Sequence, residues 1–118
     1  MPVIIVIIGD QRLRARLDDT AVARDFATML PLQLRLRDFH GTEKIADLPR
    51  KLDVRTAPER YEPQRGDITY YAPWGNLAIF YEPFQSAQGL VRLGAFEGPV
   101  DVLLSDANGS VRIEAAPQ

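Results

Sequence analysis

A mainly β chain closed into an antiparallel barrel of about eight strands, with one main helix, is the fold class this sequence predicts, and three observations carry the prediction. Gly66 to Tyr81 reads G-D-I-T-Y-Y-A-P-W-G-N-L-A-I-F-Y, two apolar strands joined through a Pro73-Trp74-Gly75-Asn76 turn. Val3 to Ile8 is an unbroken β-branched run. Apolar residues alternate with polar ones in two further stretches, while only one stretch has helical spacing. Closing such a set of strands pairs the edges with each other and removes the unpaired edge that invites aggregation.

Taken in order, the six β-branched residues Val3-Ile4-Ile5-Val6-Ile7-Ile8 suit a strand buried on both sides. Gly9-Asp10 then turns the chain into Arg12-Leu13-Arg14-Ala15-Arg16-Leu17. There the period is two, with Leu13, Ala15 and Leu17 toward the core and the arginine row toward water. Asp18, Asp19 and Thr20 offer helix caps, and Val22, Phe26, Met29 and Leu30 follow at helical spacing up to Pro31. A helix of about three turns is expected, its apolar stripe plugging one mouth of the barrel. Leu32, Leu34 and Leu36 alternate with Gln33, Arg35 and Arg37 in a strand that ends near Phe39.

From His40 to Arg65 the hydrophobic pattern thins, and Gly41, Pro49, Pro58 and Pro63 break any long element. This reads as the main loop region, and a connection of that length tends to be functional or mobile. Beyond it the pattern predicts strands at Asp67 to Tyr71, Leu77 to Tyr81, Leu90 to Phe96, Val100 to Leu104 and Val111 to Glu114. A Pro83 to Gly89 loop and an Asp106-Ala107-Asn108-Gly109 turn connect them, and Ala115 to Gln118 should fray.

A chain of 118 residues is about one domain's worth, and one domain spanning 1–118 is expected. The chain has no cysteine, so a disulfide, a thiolate nucleophile and a Cys-based zinc site are excluded; its single histidine excludes a multi-histidine metal centre. No metal and no cofactor is expected. Sixteen acidic against fourteen basic residues leave a net charge of -2, which argues against a surface built to neutralise phosphates, so nucleic acid is not an expected partner. The run at Val3 to Ile8 is too short to span a bilayer, and no basic leader precedes it, so a cytoplasmic protein without a membrane partner is expected. Homo-oligomerisation through that run or through exposed aromatic residues is left open.

The segments Met29-Leu30-Pro31-Leu32, Asp38-Phe39-His40-Gly41-Thr42-Glu43-Lys44, Leu48-Pro49, Gly66-Asp67-Ile68, Phe80-Tyr81 and Leu93-Gly94 occur in an order that resembles a bacterial family of small cyclophilin-like proteins. The resemblance runs from the Phe26 helix to the final strand and implies an eight-stranded cyclophilin-type barrel in a family of mostly unassigned function. Prolyl isomerases of the cyclophilin type carry a Phe-His-Arg strand and a Gly-Ser-Gln-Phe-Phe segment. Here Phe39-His40 is followed by Gly41, and Gly75-Asn76-Leu77-Ala78-Ile79-Phe80 lacks the serine and glutamine. Isomerisation needs only an apolar pocket and a fixed donor to lower a barrier of about 20 kcal/mol, so a displaced arginine, with Arg92 the candidate, would suffice. A strand arginine facing water is the competing account of Arg92.

Candidate ligand-binding residues fall in two groups beside Arg92. His40, Glu43 and Lys44 follow the family pattern; adjacent side chains on an extended segment face opposite ways, so at most one of Glu43 and Lys44 reaches a groove. Tyr70, Trp74 and Tyr81 belong to an aromatic cluster with Tyr71 and Phe80, where one member of each adjacent pair must be core and the other exposed. Asn76 has a ready backbone role in the turn, since Asn tolerates positive φ. No catalytic residue is singled out. Two functions remain: a binding module whose groove holds a small ligand or an extended peptide, or an enzyme, either a divergent prolyl isomerase or a component of a larger amide-processing assembly.

Overall fold

Two strands, β1 (Val3–Ile8) and β2 (Gln11–Leu17), begin the barrel in a computed structural model that describes residues 2–104 and 109–117. Ile8 lies opposite Gln11, leaving Gly9 and Asp10 as a two-residue turn with Gly9 at φ 59°, a left-handed value that glycine adopts without a Cβ clash. Ile4, Val6 and Ile8 enter the core with Ala15 and Leu17, whereas on the other face of β1 Val3 and Ile7 are only half-buried. The arginine row faces outward, and Arg14 and Arg16 both grip the Glu97 carboxylate, at 3.0 and 2.5 Å. β1 is hydrogen-bonded on both sides, to β2 and to β11 (Ser110–Ala115), so it offers no free edge to a second copy.

Helix α1 (Ala21–Ala27) begins at Thr20, whose hydroxyl accepts from the Ala23 amide at 3.2 Å. It is shorter than the expected three turns. Beyond Ala27 the amides of Met29 and Leu30 bond carbonyls only three residues back, tightening the chain into turns before the cis Leu30–Pro31 bond. Val22, Ala23 and Phe26 form the buried face that plugs the barrel.

Next come β3 (Leu32–Arg35) and β4 (Arg37–Phe39), separated by Leu36 alone. β5 (Glu43–Asp47) falls inside the stretch expected to be loop: with one isoleucine among charged residues it carries little strand signal, yet it is hydrogen-bonded on both sides. The true loop is Leu48 to Glu59 and is pinned down. Leu52 is buried with its amide donating to the Tyr70 hydroxyl at 3.2 Å, while Arg50 and the Asp53 amide both hold the Asp25 carboxylate of α1.

β7 (Asp67–Tyr71) and β8 (Asn76–Phe80) form the predicted hairpin; a second small ribbon pairs β6 (Arg60–Tyr61) with β9 (Ala87–Gln88). After β10 (Leu90–Phe96), the expected strand at Val100 to Leu104 is instead a single 3₁₀ turn, Asp101–Leu104, whose Leu103 reaches the core. Of the predicted turn from 106 to 109, residues 106–108 lie outside the described residues, and Gly109 holds a φ of 73°.

Hydrogen bonding orders the main sheet as β3, β11, β1, β2, β10, β7, β8, β5, β4, every pair antiparallel. Its two ends are the two halves of one bent segment: residues 32–35 pair with β11 and residues 37–39 with β5. The nine strands therefore trace the eight-stranded barrel that the sequence predicts. Ile4, Phe26, Leu77, Ile79, Leu93 and Ile113 fill its interior.

Gly94 sits where β10 shifts register against β7 while still pairing with Leu17 of β2. A Cβ on it would stand 2.2 Å from the Arg16 carbonyl oxygen and 2.9 Å from Leu17 Cα, both of them backbone atoms that cannot swing aside. Gly94→Ala is expected to destabilise the protein by roughly 1–3 kcal/mol or more, read as a lower urea midpoint. An unchanged midpoint would show that β2 and β10 are not so closely apposed.

Candidate functional site

Period-two alternation gives the barrel wall an outer face as well as an inner one. On β5, Lys44 and Ala46 point inward while Glu43 and Ile45 point outward; on β8, Leu77 and Ile79 fill the core while Asn76, Ala78 and Phe80 face out. Tyr71 stands opposite Asn76 on β7 and shares its side of the sheet. Ile45, Ala78, Phe80 and Leu90 make a second, external apolar cluster, with Phe39, Tyr61, Tyr71 and Ala87 packed against it. The β6–β9 ribbon flanks this patch and leaves a cavity of about 240 Å3.

Aromatic rings build the cavity. Trp74, 59% exposed at the hairpin tip, meets Phe39 edge-to-face at 5.5 Å and Tyr71 at 5.4 Å, with interplanar angles of 89° and 82°. Phe80, Phe84, Ala87 and Leu90 complete its apolar lining. Two polar residues interrupt this lining. Glu43 is half-buried and has neither a hydrogen bond nor an ion pair among the described residues; desolvation, reinforced by nearby Asp38, pushes its carboxyl up to about 7. Asn76 is 2% exposed; its amide nitrogen donates to the Leu77 carbonyl at 3.1 Å, whereas its Oδ1 has no partner among the described residues. A buried carbonyl oxygen left without a donor costs about 1–3 kcal/mol, so such groups are rare in folded proteins.

Of the residues singled out from sequence, Glu43, Trp74 and Asn76 line this cavity, whereas His40 touches only one of its lining rings, that of Phe39. His40 and Gly41 hold φ of 56° and 67°, a tight turn between β4 and β5 closed by the Thr42 amide on the Phe39 carbonyl; the His40 ring lies 4.1 Å from that of Phe39. Lys44 is placed differently. It turns inward, its Nζ 3.5 Å from Asp38 Oδ1 and 5.8 Å from the centre of the Tyr81 ring.

Within each aromatic pair the structure reverses the choice. Tyr70 is 1% exposed inside the barrel, and Tyr81 is buried with its hydroxyl donating to Asp38. That donation holds Asp38 below the usual carboxylate range, while burial and the Asp38 charge push the Tyr81 phenol up to about 12. Tyr71 and Phe80 face the groove instead. The signal for them was Asn76: residues two apart on a strand share a face, so an outward Asn76 carries Phe80 with it and its cross-strand partner Tyr71 as well.

Arg92 does not line the aromatic cavity; its partly exposed side chain holds two carboxylates. Its Nε bonds Asp18 at 2.9 Å, and its NH1 lies 3.3 Å from Asp67 and 3.5 Å from the Tyr61 hydroxyl. Asp67, 3% exposed, also accepts from the Tyr61 hydroxyl at 2.5 Å and the Gln64 amide at 2.8 Å. This network borders a neighbouring depression of about 260 Å3 shared with Thr20, Pro58 and Arg60. Among the described residues, no group of three or more His, Cys, Asp or Glu side chains is placed to hold a metal ion, and no helix is long and apolar enough to cross a membrane.

A nearly closed antiparallel barrel, plugged by one helix and grooved on its outer wall, defines a cyclophilin-type β protein. The chain belongs to the Cyclophilin-like family, whose model matches residues 6–115. It is similar to the solution structure of a hypothetical protein from Archaeoglobus fulgidus, with a TM-score of 0.70 and 14% identity over 98% of this chain and 95% of that one; this likeness concerns the fold alone. No curated protein matches.

Two stability outcomes follow. Glu43 holds its proton more tightly folded than unfolded, so its contribution is full below its ordinary value near 4.5 and is lost as pH rises through about 7. Glu43→Gln should remove that loss and stabilise the protein at pH 8 by on the order of 1–2 kcal/mol, with little change at pH 4. Urea melts at the two pH values measure the difference, and a variant less stable than the parent at pH 8 would contradict the unpartnered carboxyl. Arg92→Met strands buried Asp67 and should cost roughly 2–3 kcal/mol in the same assay.

Proposed function

We propose that this protein is a non-catalytic binding module, acting in the cytoplasm, whose outer-wall groove takes a small ligand. One observation carries the reading: an aromatic-lined cavity into which two poorly satisfied polar groups, Glu43 and Asn76, are set. Apolar walls with a few fixed polar groups are the general make-up of ligand sites. A folded chain keeps an unpartnered polar atom at a cost, and such costs concentrate at sites of function. The volume, about 240 Å3, is just below the roughly 300–1,000 Å3 of drug-sized sites, which favours a compact molecule over a long peptide.

The isomerase alternative asks for a free donor beside the apolar pocket. Arg92, the candidate donor, holds Asp18 and Asp67 instead, and it borders the other depression. That arrangement weighs against the alternative.

The test pairs ligand binding with turnover. Amide and indole NMR shifts are followed while a set of small aromatic and aliphatic fragments is titrated, and exchange spectra of proline-containing peptides are recorded with the same sample. Binders should shift Trp74 and the Asn76 side chain, and Trp74→Ala, which removes an exposed ring, should weaken them about tenfold without unfolding the chain. Fragments that shift no residue of the groove would overturn the binding reading. Accelerated cis–trans exchange would overturn its non-catalytic part.

A further inference from the structure

The chemistry of the cavity wall is one-sided. Glu43 and Asn76 Oδ1 are its polar groups without a partner among the described residues, and no lysine, arginine or histidine side chain is among the residues that line it. Two cations of the barrel wall are committed elsewhere: Lys44 lies on the opposite face of β5 with Asp38, and Arg92 is held by Asp18 and Asp67. An anionic ligand would meet a carboxyl and an amide oxygen with no countercharge. A neutral apolar ligand would leave both acceptors buried and unpaired, at the cost that such groups carry.

The aromatic rings add a second preference. A ring face is the negative part of its quadrupole and attracts a cation within about 6 Å of the centroid, with Trp strongest and Tyr and Phe next. Trp74 stands nearly perpendicular to both Phe39 and Tyr71, so the three rings present differently oriented surfaces around one opening rather than a flat stack. Faces, edges and a carboxyl at one small cavity are the parts of a cage for an organic cation.

We infer that the groove selects a compact protonated amine, its ammonium N–H groups donating to Glu43 and its carbon body lying against Trp74, Tyr71 and Phe80. The inference rests on reading the groove as a binding site and names the ligand class for it. A bound ammonium supplies the cation that Glu43 lacks, and the resulting charge-assisted hydrogen bonds are the stronger kind.

Proton linkage follows from the same geometry. The titratable groups around Glu43 are Asp38 of β4, His40 at the β4–β5 turn, Lys44 beside it in β5, Tyr71 of β7, and Tyr81 and Glu82 just beyond β8. Of these, Asp38 is the like charge that acts on Glu43, and Tyr81 keeps it ionised by donating to it. With the Glu43 carboxyl near 7, only the ionised form offers a full countercharge, so amine affinity should rise about tenfold between pH 6 and pH 8 as that form fills.

The experiment uses the full chain, whose one tryptophan, Trp74, reports on the cavity by fluorescence. Phenethylammonium and its neutral counterpart 2-phenylethanol are titrated at pH 6 and pH 8 into the parent and Glu43→Gln. The inference expects the amine to bind at least tenfold more tightly than the alcohol at pH 8, with the pH dependence abolished in Glu43→Gln. Persistence of that dependence in Glu43→Gln would overturn the role given to Glu43. Equal, pH-independent binding of alcohol and amine would overturn the amine inference while leaving a groove that binds small ligands. Failure of both probes would overturn the inference alone, since the wider fragment titration decides the binding reading.

Discussion

Everything in this barrel depends on the eight residues from Leu32 to Phe39 serving two sheet edges at once. The first half pairs with β11, the second with β5, and Leu36 between them is the point of the bend, its amide donating to the Gly109 carbonyl. With both ends of the sheet satisfied by one segment, the main sheet is left no long free edge. Closure then divides every strand into an inner and an outer row. The inner row is filled by aliphatic and aromatic side chains and sealed by Phe26 and Leu52. The outer row on β5, β7, β8 and β10 still carries Ile45, Phe80 and Leu90, which need cover of their own, and the β6–β9 ribbon gives only part of it. The groove is the uncovered remainder.

Two acidic groups on that outer wall show what the cover does and does not provide. Asp67 receives an arginine, a phenol and a backbone amide, the full set that makes a buried carboxylate tolerable. Glu43, on a strand of the same wall, receives none of these and responds by holding its proton toward neutrality. Packing does not force the difference, since Lys44 is the adjacent residue and is turned away by the pleat alone. The polar groups near Arg92 are therefore an internal fastening, and those near Trp74 are left facing the cavity without a partner among the described residues.

The barrel was legible because period-two signals are strong wherever one face is apolar, as in Leu13 to Leu17, Leu32 to Leu36 and the Gly66 to Tyr81 hairpin. β5 was hidden because Glu-Lys-Ile-Ala-Asp puts charge on both of its faces: Lys44 turns inward to Asp38 and the Tyr81 ring, so hydrophobicity does not alternate although the backbone does. The segment Val100 to Leu104 misled in the opposite way. Val100 and Leu103 are buried at a spacing of three, which suits one 3₁₀ turn as well as apolar composition suits a strand. The site was half legible. Glu43, Trp74 and Asn76 stood out, but Tyr70 and Tyr81 look the same as Tyr71 and Phe80 until one outward residue on the hairpin is known, and Asn76, read as a turn residue, was that reference.

The Arg92 network also bears on why a cyclophilin-type barrel need not carry cyclophilin chemistry. An arginine can polarise a bound amide only if its guanidinium is presented to the pocket with a donor free. Here the Nε of Arg92 is taken by Asp18, at the start of the plugging helix, and its NH1 by Asp67 and Tyr61 at the ribbon, so one side chain ties three separate parts of the fold together. Releasing it toward a ligand would uncover Asp67 and loosen both attachments, a penalty set by a buried charge and not by any local preference. Stability thus commits this arginine to the frame, and the groove is left with the Glu43 carboxyl, the Asn76 side chain and aromatic rings.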